Sequence, residues 1–202
     1  MKTNIIYNTS SENMPQIDDK SVKLVVTSPP YNINIQYGNK TSKGQIVSSK
    51  GAKYKDNLDE DTYRSMLSLV FNECKKKITD DGSIWINIKN RVDDGVIIPP
   101  FWIMDFFEDM YLKNIIIWNF DWGGSTNKRF APRYEYVFWF VKDKKNYTFN
   151  SSYAVINISS YIYIFIYISA FFISSEILIP NPSAIFLIFC IDTFRFPAST
   201  DE

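Results

Sequence analysis

The chain has 202 residues, enough for one medium domain with its own core, or one domain with an appendage, and too few for two full domains. Lysine plus arginine number 22, as do aspartate plus glutamate, so overall charge singles out neither a nucleic acid nor an acidic partner. Histidine is absent, which excludes histidine bases, Ser-His-Asp triads and most zinc sites, and leaves no metal site to expect.

The charge balance hides an asymmetry. The first 150 residues hold 21 basic and 18 acidic residues, a net of +3, so any affinity for DNA must come from a local patch. Cys74 and Cys190 lie far apart with no CxxC spacing, and the N-terminus lacks the apolar core of a signal peptide. Both features fit a reduced, cytoplasmic protein.

In chain order, residues 4–7 and 22–27 read as short strands, joined by a polar helical segment over about 10–17 and a turn at Asp18-Asp19-Lys20-Ser21. Residues 33–55 contain no acidic residue but hold Lys40, Lys43, Lys50, Lys53 and Lys55, the pattern of a basic loop. From Asp59, Tyr63, Met66, Leu67, Val70, Cys74 and Ile78 recur at three- and four-residue steps, which predicts a helix with one apolar stripe. Asp59, Glu60 and Asp61 suit its N-terminal end, and Lys75, Lys76 and Lys77 its C-terminal end.

Asp80-Asp81-Gly82 predicts a turn into a strand over 83–88. A helix over about 100–111, a strand over 114–120, a loop around Trp122-Gly123-Gly124 and a strand over 134–141 complete the pattern. Strands alternating with helices predict an α/β sheet with helices on both faces. After residue 150 the composition changes: residues 151–202 are rich in Ile, Phe, Ser and Tyr and contain no Gly or Lys. The expected division is therefore a catalytic portion, 1–150, and a low-complexity tail, 151–202, read as out-of-frame translation of an AT-rich gene. A membrane span through 151–175 is the less favoured reading, because that uncharged stretch has no leucine and many Ser, Tyr and Asn.

The segment that carries chemistry is Val25-Val26-Thr27-Ser28-Pro29-Pro30-Tyr31-Asn32, an apolar strand running straight into a Pro-Pro turn. It resembles the catalytic motif of bacterial DNA amino-methyltransferases, in which a strand ends in Asp, Asn or Ser, followed by Pro-Pro and an aromatic residue. The resemblance extends to 81–88 and to Arg133-Tyr134-Glu135 with the strand after it. It departs where relatives often carry histidine at the position of Tyr134, and Gly-Asp near Asn8.

The resemblance implies a partial Rossmann-like methyltransferase sheet, S-adenosyl-L-methionine as methyl donor, and a duplex DNA substrate whose target base is flipped out. Ser28, Pro29, Pro30 and Tyr31 would be the catalytic residues. An exocyclic base amine is a poor nucleophile because its lone pair is delocalised into the ring. Ser28 Oγ and the Pro29 carbonyl would accept its hydrogens, and Tyr31 would stack on the base. Serine in the first motif position is commoner in cytosine-N4 enzymes, and Asp or Asn in adenine-N6 enzymes, so cytosine is the first expectation and adenine the alternative.

Lys40, Lys43, Lys50, Lys53, Lys55, Lys128 and Arg129 are candidate DNA contacts, with a plain solvated loop as the competing reading of each group. A restriction-modification setting would add a cognate endonuclease as partner. The family's Phe-x-Gly-x-Gly turn, which normally follows the Pro-Pro motif, is missing, since the last glycine is Gly124. An impaired enzyme is therefore expected, and a non-catalytic DNA-binding or membrane-tethered remnant is kept as an alternative. By the same resemblance the cofactor site is not fully encoded here, and no cofactor-binding residue is assigned.

Overall fold

The computed structural model describes residues 7, 9–34, 39–40, 46–48, 56–121 and 127–149. The expected first strand lies outside them except for Tyr7, as does the whole of 151–202. In chain order the elements are β1 (Val22–Thr27), β2 (Asn39–Lys40), β3 (Ile46–Ser48), α1 (Glu60–Lys77), β4 (Ile78–Ile88), β5 (Arg91–Asp93), β6 (Val96–Ile98), a 3₁₀ helix (Pro100–Phe107), β7 (Tyr111–Asn119) and β8 (Tyr134–Val141).

The main sheet has the order β1-β4-β8-β7, with β1 parallel to β4 and the other neighbours antiparallel. It is a mixed α/β sheet, and among the described residues β1 forms one of its edges. β2 with β3, and β5 with β6, form separate antiparallel pairs.

Helix α1 starts where Asp59, in extended conformation, accepts a hydrogen bond from the Thr62 N–H, satisfying one of the donors a helix N-terminus leaves open. It ends without a loop, because Ile78 is both its C-cap and the first residue of β4. Tyr63, Leu67, Val70, Phe71 and Cys74 form its buried stripe, as the spacing predicts.

The expected helix over 10–17 does not form; those residues make turns that wrap the C-terminal half of α1. Tertiary contacts outcompete the weak local pattern. The buried Glu73 carboxylate captures the Met14 N–H at 3.0 Å, and Met14 and Ile17 enter the core. The Lys20 and Ser21 N–H groups then donate to the open Lys76 and Lys77 carbonyls, at 3.0 and 2.9 Å, so this segment closes the helix end.

Strand alternation sorts the side chains into two layers. Ile84, Ile86 and Ile88 share a face with Phe138 and Phe140, and both described helices pack there: Phe107 stacks on Phe140 with ring centroids 4.2 Å apart and meets Phe71 at 5.2 Å. The other face carries Trp85 stacked on Trp139 at 4.9 Å, with Tyr147 and Phe149 against Trp139. Among the described residues no helix is long and apolar enough to cross a membrane.

The expected turn at 80–82 is instead a bulge inside β4. Pairing jumps from Val22–Ile78 to Leu24–Ser83, and a Cβ on Gly82 would lie 3.0 Å from the Lys23 carbonyl oxygen, so a larger residue would push the strands apart. The β5–β6 hairpin was not anticipated, although its Asp94-Gly95 turn, with φ of 43° and 79°, has the positive dihedrals that such a dipeptide favours.

Asp81, on the bulge, accepts from Lys23 Nζ at 2.7 and 2.5 Å and from Thr148 Oγ1 at 3.1 Å. The Lys23 hydrogen bond, then that from Thr79, lowers its carboxyl from 3.8 to about 2. A depressed carboxyl stabilises the fold at pH above its unfolded value, and that contribution is lost as pH falls through the folded one. Asp81→Asn is expected to be slightly less stable than wild type at neutral pH, the side chain being partly solvent-screened, with the difference closing between pH 3.8 and about 2. Urea midpoints measured across that range check this, and a gap independent of pH would refute it.

Candidate functional site

Two parallel strands that end on the same side of a sheet leave a crevice beyond their carboxyl ends, and ligands bind there in open α/β sheets. Here β1 ends at Thr27 and runs into Ser28-Pro29-Pro30-Tyr31, while Asn87 and Ile88 finish β4 alongside. Because β8 runs antiparallel to β4, its first residues, Tyr134 and Glu135, arrive at the same end.

The turn is held from several directions. Tyr63 donates from its hydroxyl to the Pro30 carbonyl at 2.7 Å, which leaves the Pro29 carbonyl as the turn's candidate acceptor. Buried Asp56 accepts from the Asn32 and Ile33 N–H groups, each at 3.0 Å, and its own carbonyl accepts from the Asn34 N–H at 2.6 Å. The Asn32 side chain pairs with both the N–H and the carbonyl of Leu58, at 2.8 Å each. Asn32 and Asn34 take positive φ, 55° and 60°, a conformation asparagine tolerates better than most residues.

At the centre stands the Tyr31 hydroxyl. It donates to Glu135 Oε2 at 2.9 Å, lies 3.0 Å from Ser28 Oγ, and accepts from Asn87 Nδ2 at 2.8 Å. Asn87 Nδ2 also donates to Glu135 Oε2 at 2.6 Å. Burial first, and the neighbouring Glu135 charge second, push the Tyr31 phenol well above its ordinary value, so it stays protonated. Lys89 Nζ stands 5.2 Å from the centre of the Tyr31 ring.

A cleft of about 750 Å³ adjoins this cluster, lined by Asn32, Lys89, Arg91, Phe120, Tyr134 and Glu135 among others. That volume lies within the range of small-molecule sites. Arg91 is held at its rim by the Glu60 carboxylate, at 2.8 and 2.5 Å, and rests over the Tyr63 ring. Among the described residues no group of three or more His, Cys, Asp or Glu could hold a metal ion.

The structure thus gathers Ser28, Pro29, Pro30 and Tyr31 at the sheet's carboxyl edge, and adds Asn87, Glu135 and Asp56. Asn87 and Asp56 were missed in the sequence reading. Their signals were a polar residue closing an apolar strand and the first acidic residue after a long stretch with none. Glu135 was visible only as part of a family motif. Of the candidate DNA contacts, Lys40 falls in β2, Lys43, Lys50, Lys53 and Lys55 lie outside the described residues, and Lys128 and Arg129 follow β7 without lining the cleft.

The family model described as DNA methylase matches residues 22–162. The Type II methyltransferase M.BglII of Bacillus subtilis is 34% identical over 145 residues, spanning 69% of this chain and 35% of its own length. The DNA adenine methyltransferase YhdJ of Escherichia coli (strain K12) is 30% identical over 147 residues, spanning 72% of this chain and 43% of its own. This chain therefore matches between about a third and somewhat under half of these curated relatives. A solved PvuII DNA methyltransferase, cytosine-N4-specific, overlaps 68% of this chain and 48% of its own, at 18% identity and a TM-score of 0.44.

Removing the carboxylate under the turn would leave the Asn32 and Ile33 donors unmatched in a buried setting. Asp56→Ala is expected to cost about 3 kcal/mol. Amide exchange at Asn32 and Ile33 should accelerate while β8 stays protected. Unchanged exchange at those two amides would exclude this role for Asp56.

Proposed function

The chain belongs to the DNA methylase family, and from that premise we propose that it carries the amine-activating half of a DNA amino-methyltransferase acting on cytosine N4. The observation that carries the reading is Ser28 on the Pro-Pro turn at the carboxyl end of β1, its Oγ 3.0 Å from a Tyr31 hydroxyl that bonds Glu135, a residue lining the cleft of about 750 Å³.

Two acceptors on one turn suit an NH₂ group, which has two hydrogens to donate. Accepting both draws electron density onto the nitrogen and holds its lone pair out of conjugation with the ring, which raises its nucleophilicity. Proline supports this because its fixed φ keeps the carbonyl aimed and it adds no N–H to compete for the Ser28 oxygen. A base inside a duplex cannot reach such a turn, so the target would have to be flipped into the cleft.

The methyl donor expected for this family is S-adenosyl-L-methionine. Among the described residues the glycines are Gly82, packed on Lys23 and Thr79 at the far end of β1, and Gly95 in the hairpin turn. Neither offers a close backbone approach near Ser28. The described residues do not fit the donor's seat, and the chemistry assigned to this chain is confined to holding the amine. The restriction-modification setting and a cognate endonuclease belong to the same proposal, supported by the Type II methyltransferase relative.

Adenine N6 is the second reading, favoured by the adenine-methylating relative that is 30% identical over 147 residues. Both amines present two hydrogens, so the same pair of acceptors serves either base.

Fused to the donor-binding half of a relative and given S-adenosyl-L-methionine and duplex DNA, the chain is expected to transfer methyl groups, and Ser28→Ala in the same fusion to lower the rate by roughly a hundredfold. Absence of transfer by the wild-type fusion would overturn the reading of this chain as the amine-activating half, and an unchanged rate in the variant would rule out Ser28. Hydrolysis of the product DNA to nucleosides decides the base: N4-methylcytosine supports the first reading and N6-methyladenine the second.

A further inference from the structure

Hydrogen accounting around the Tyr31 hydroxyl determines which way each proton points. The phenol has a single hydrogen to donate. Glu135 Oε2 accepts that hydrogen at 2.9 Å. Asn87 can present only its NH₂ group here, since the reversed amide would set its oxygen 2.6 Å from Glu135 Oε2, acceptor against acceptor.

That leaves the contact of 3.0 Å between Ser28 Oγ and the Tyr31 hydroxyl, in which either atom could donate on geometry alone. With the phenol hydrogen committed to Glu135, Ser28 must supply the hydrogen. The Ser28 lone pairs are then turned away from Tyr31 and free to accept from an incoming N–H.

We propose that Glu135, acting through the Tyr31 hydroxyl, sets the direction of the Ser28 hydroxyl hydrogen, so that Ser28 meets its ligand as an acceptor and selects an amine over a carbonyl. This rests on the reading of Ser28 as the amine acceptor. Glu135 and Tyr31 are positioning residues in this arrangement. Without the carboxylate, the phenol hydrogen is free to turn toward Ser28, whose own hydrogen can then point outward and greet a carbonyl as readily as an amine.

Nucleoside pairs with an amine or a carbonyl at one exocyclic position, which also differ in whether the adjacent ring nitrogen accepts or donates, test the idea and need no methyl donor. Cytidine and adenosine present an amine, and uridine and inosine a carbonyl at the same position. Equilibrium binding of all four nucleosides to the full 202-residue chain is expected to show an amine preference of about tenfold in one pair. Glu135→Leu should weaken that preference to what the Pro29 carbonyl alone maintains, and Tyr31→Phe, which keeps the carboxylate, should do the same. Glu135→Gln should retain it, because its amide oxygen still accepts from Tyr31 and Asn87.

If Ser28→Ala loses the preference while Glu135→Leu and Tyr31→Phe keep it, the orientation proposal is overturned and the acceptor reading survives. If Ser28→Ala keeps the full preference, Ser28 is not the acceptor that reads the group, and if wild type shows none the whole acceptor reading falls; the proposal falls in either case. Loss of preference in Glu135→Gln as well as Glu135→Leu would also overturn the proposal, since hydrogen direction would not be the deciding property.

Discussion

The parallel pairing of β1 with β4, in register from Leu24–Ser83 to Thr27–Ile86, is the contact on which the candidate site depends. Parallel neighbours end on the same side, so the pairing delivers the Ser28 turn and Asn87 to one place although they are far apart in the chain. Helix α1 makes it possible: a parallel connection needs a crossover, and α1 supplies one that buries Tyr63, Leu67, Val70 and Phe71 on its way back to the sheet. Tyr63 serves both purposes, with its ring in the core and its hydroxyl on the Pro30 carbonyl.

Burying polar groups beside that turn carries a desolvation cost that hydrogen bonds offset in part, Asn87 Oδ1 being buried without a partner among the described residues. Asp56 meets it with two backbone N–H groups, and Glu135 with the Tyr31 hydroxyl and the Asn87 amide. Such a network does more for geometry than for stability, because each partner restricts the hydrogens of the next. A hydroxyl such as Ser28 rotates freely in isolation. Its hydrogen gains a defined direction only from neighbours that have exhausted their own donors.

The two faces of the sheet divide the labour. The Ile84, Ile86 and Ile88 face packs against both described helices and forms the dry core. On the other face Trp85 and Trp139 stack, with Ser83 accepting from the Trp139 indole at 3.2 Å, and Asn87 lies in the same row at the site end. One strand therefore supplies core from Ile84, Ile86 and Ile88 and a polar partner for Tyr31 and Glu135 from Asn87 in the opposite row, a direct consequence of the twofold period of β structure.

Local pattern was enough to locate β1, β8, α1 with its acidic N-terminal end, and the Ser28–Tyr31 turn, because periodicity, charge at helix ends and proline act over a few residues. It misread residues 10–17, where Glu73, distant in sequence, claims the Met14 N–H, and residues 80–82, where pairing with β1 turns an apparent turn into a bulge. The amino-acid sequence alone determined which residues could accept an amine's hydrogens. Only the tertiary structure decided that Asn87 and Glu135 would meet at the Tyr31 hydroxyl beside Ser28, since a hydrogen bond needs donors and acceptors brought together from strands that are far apart along the chain.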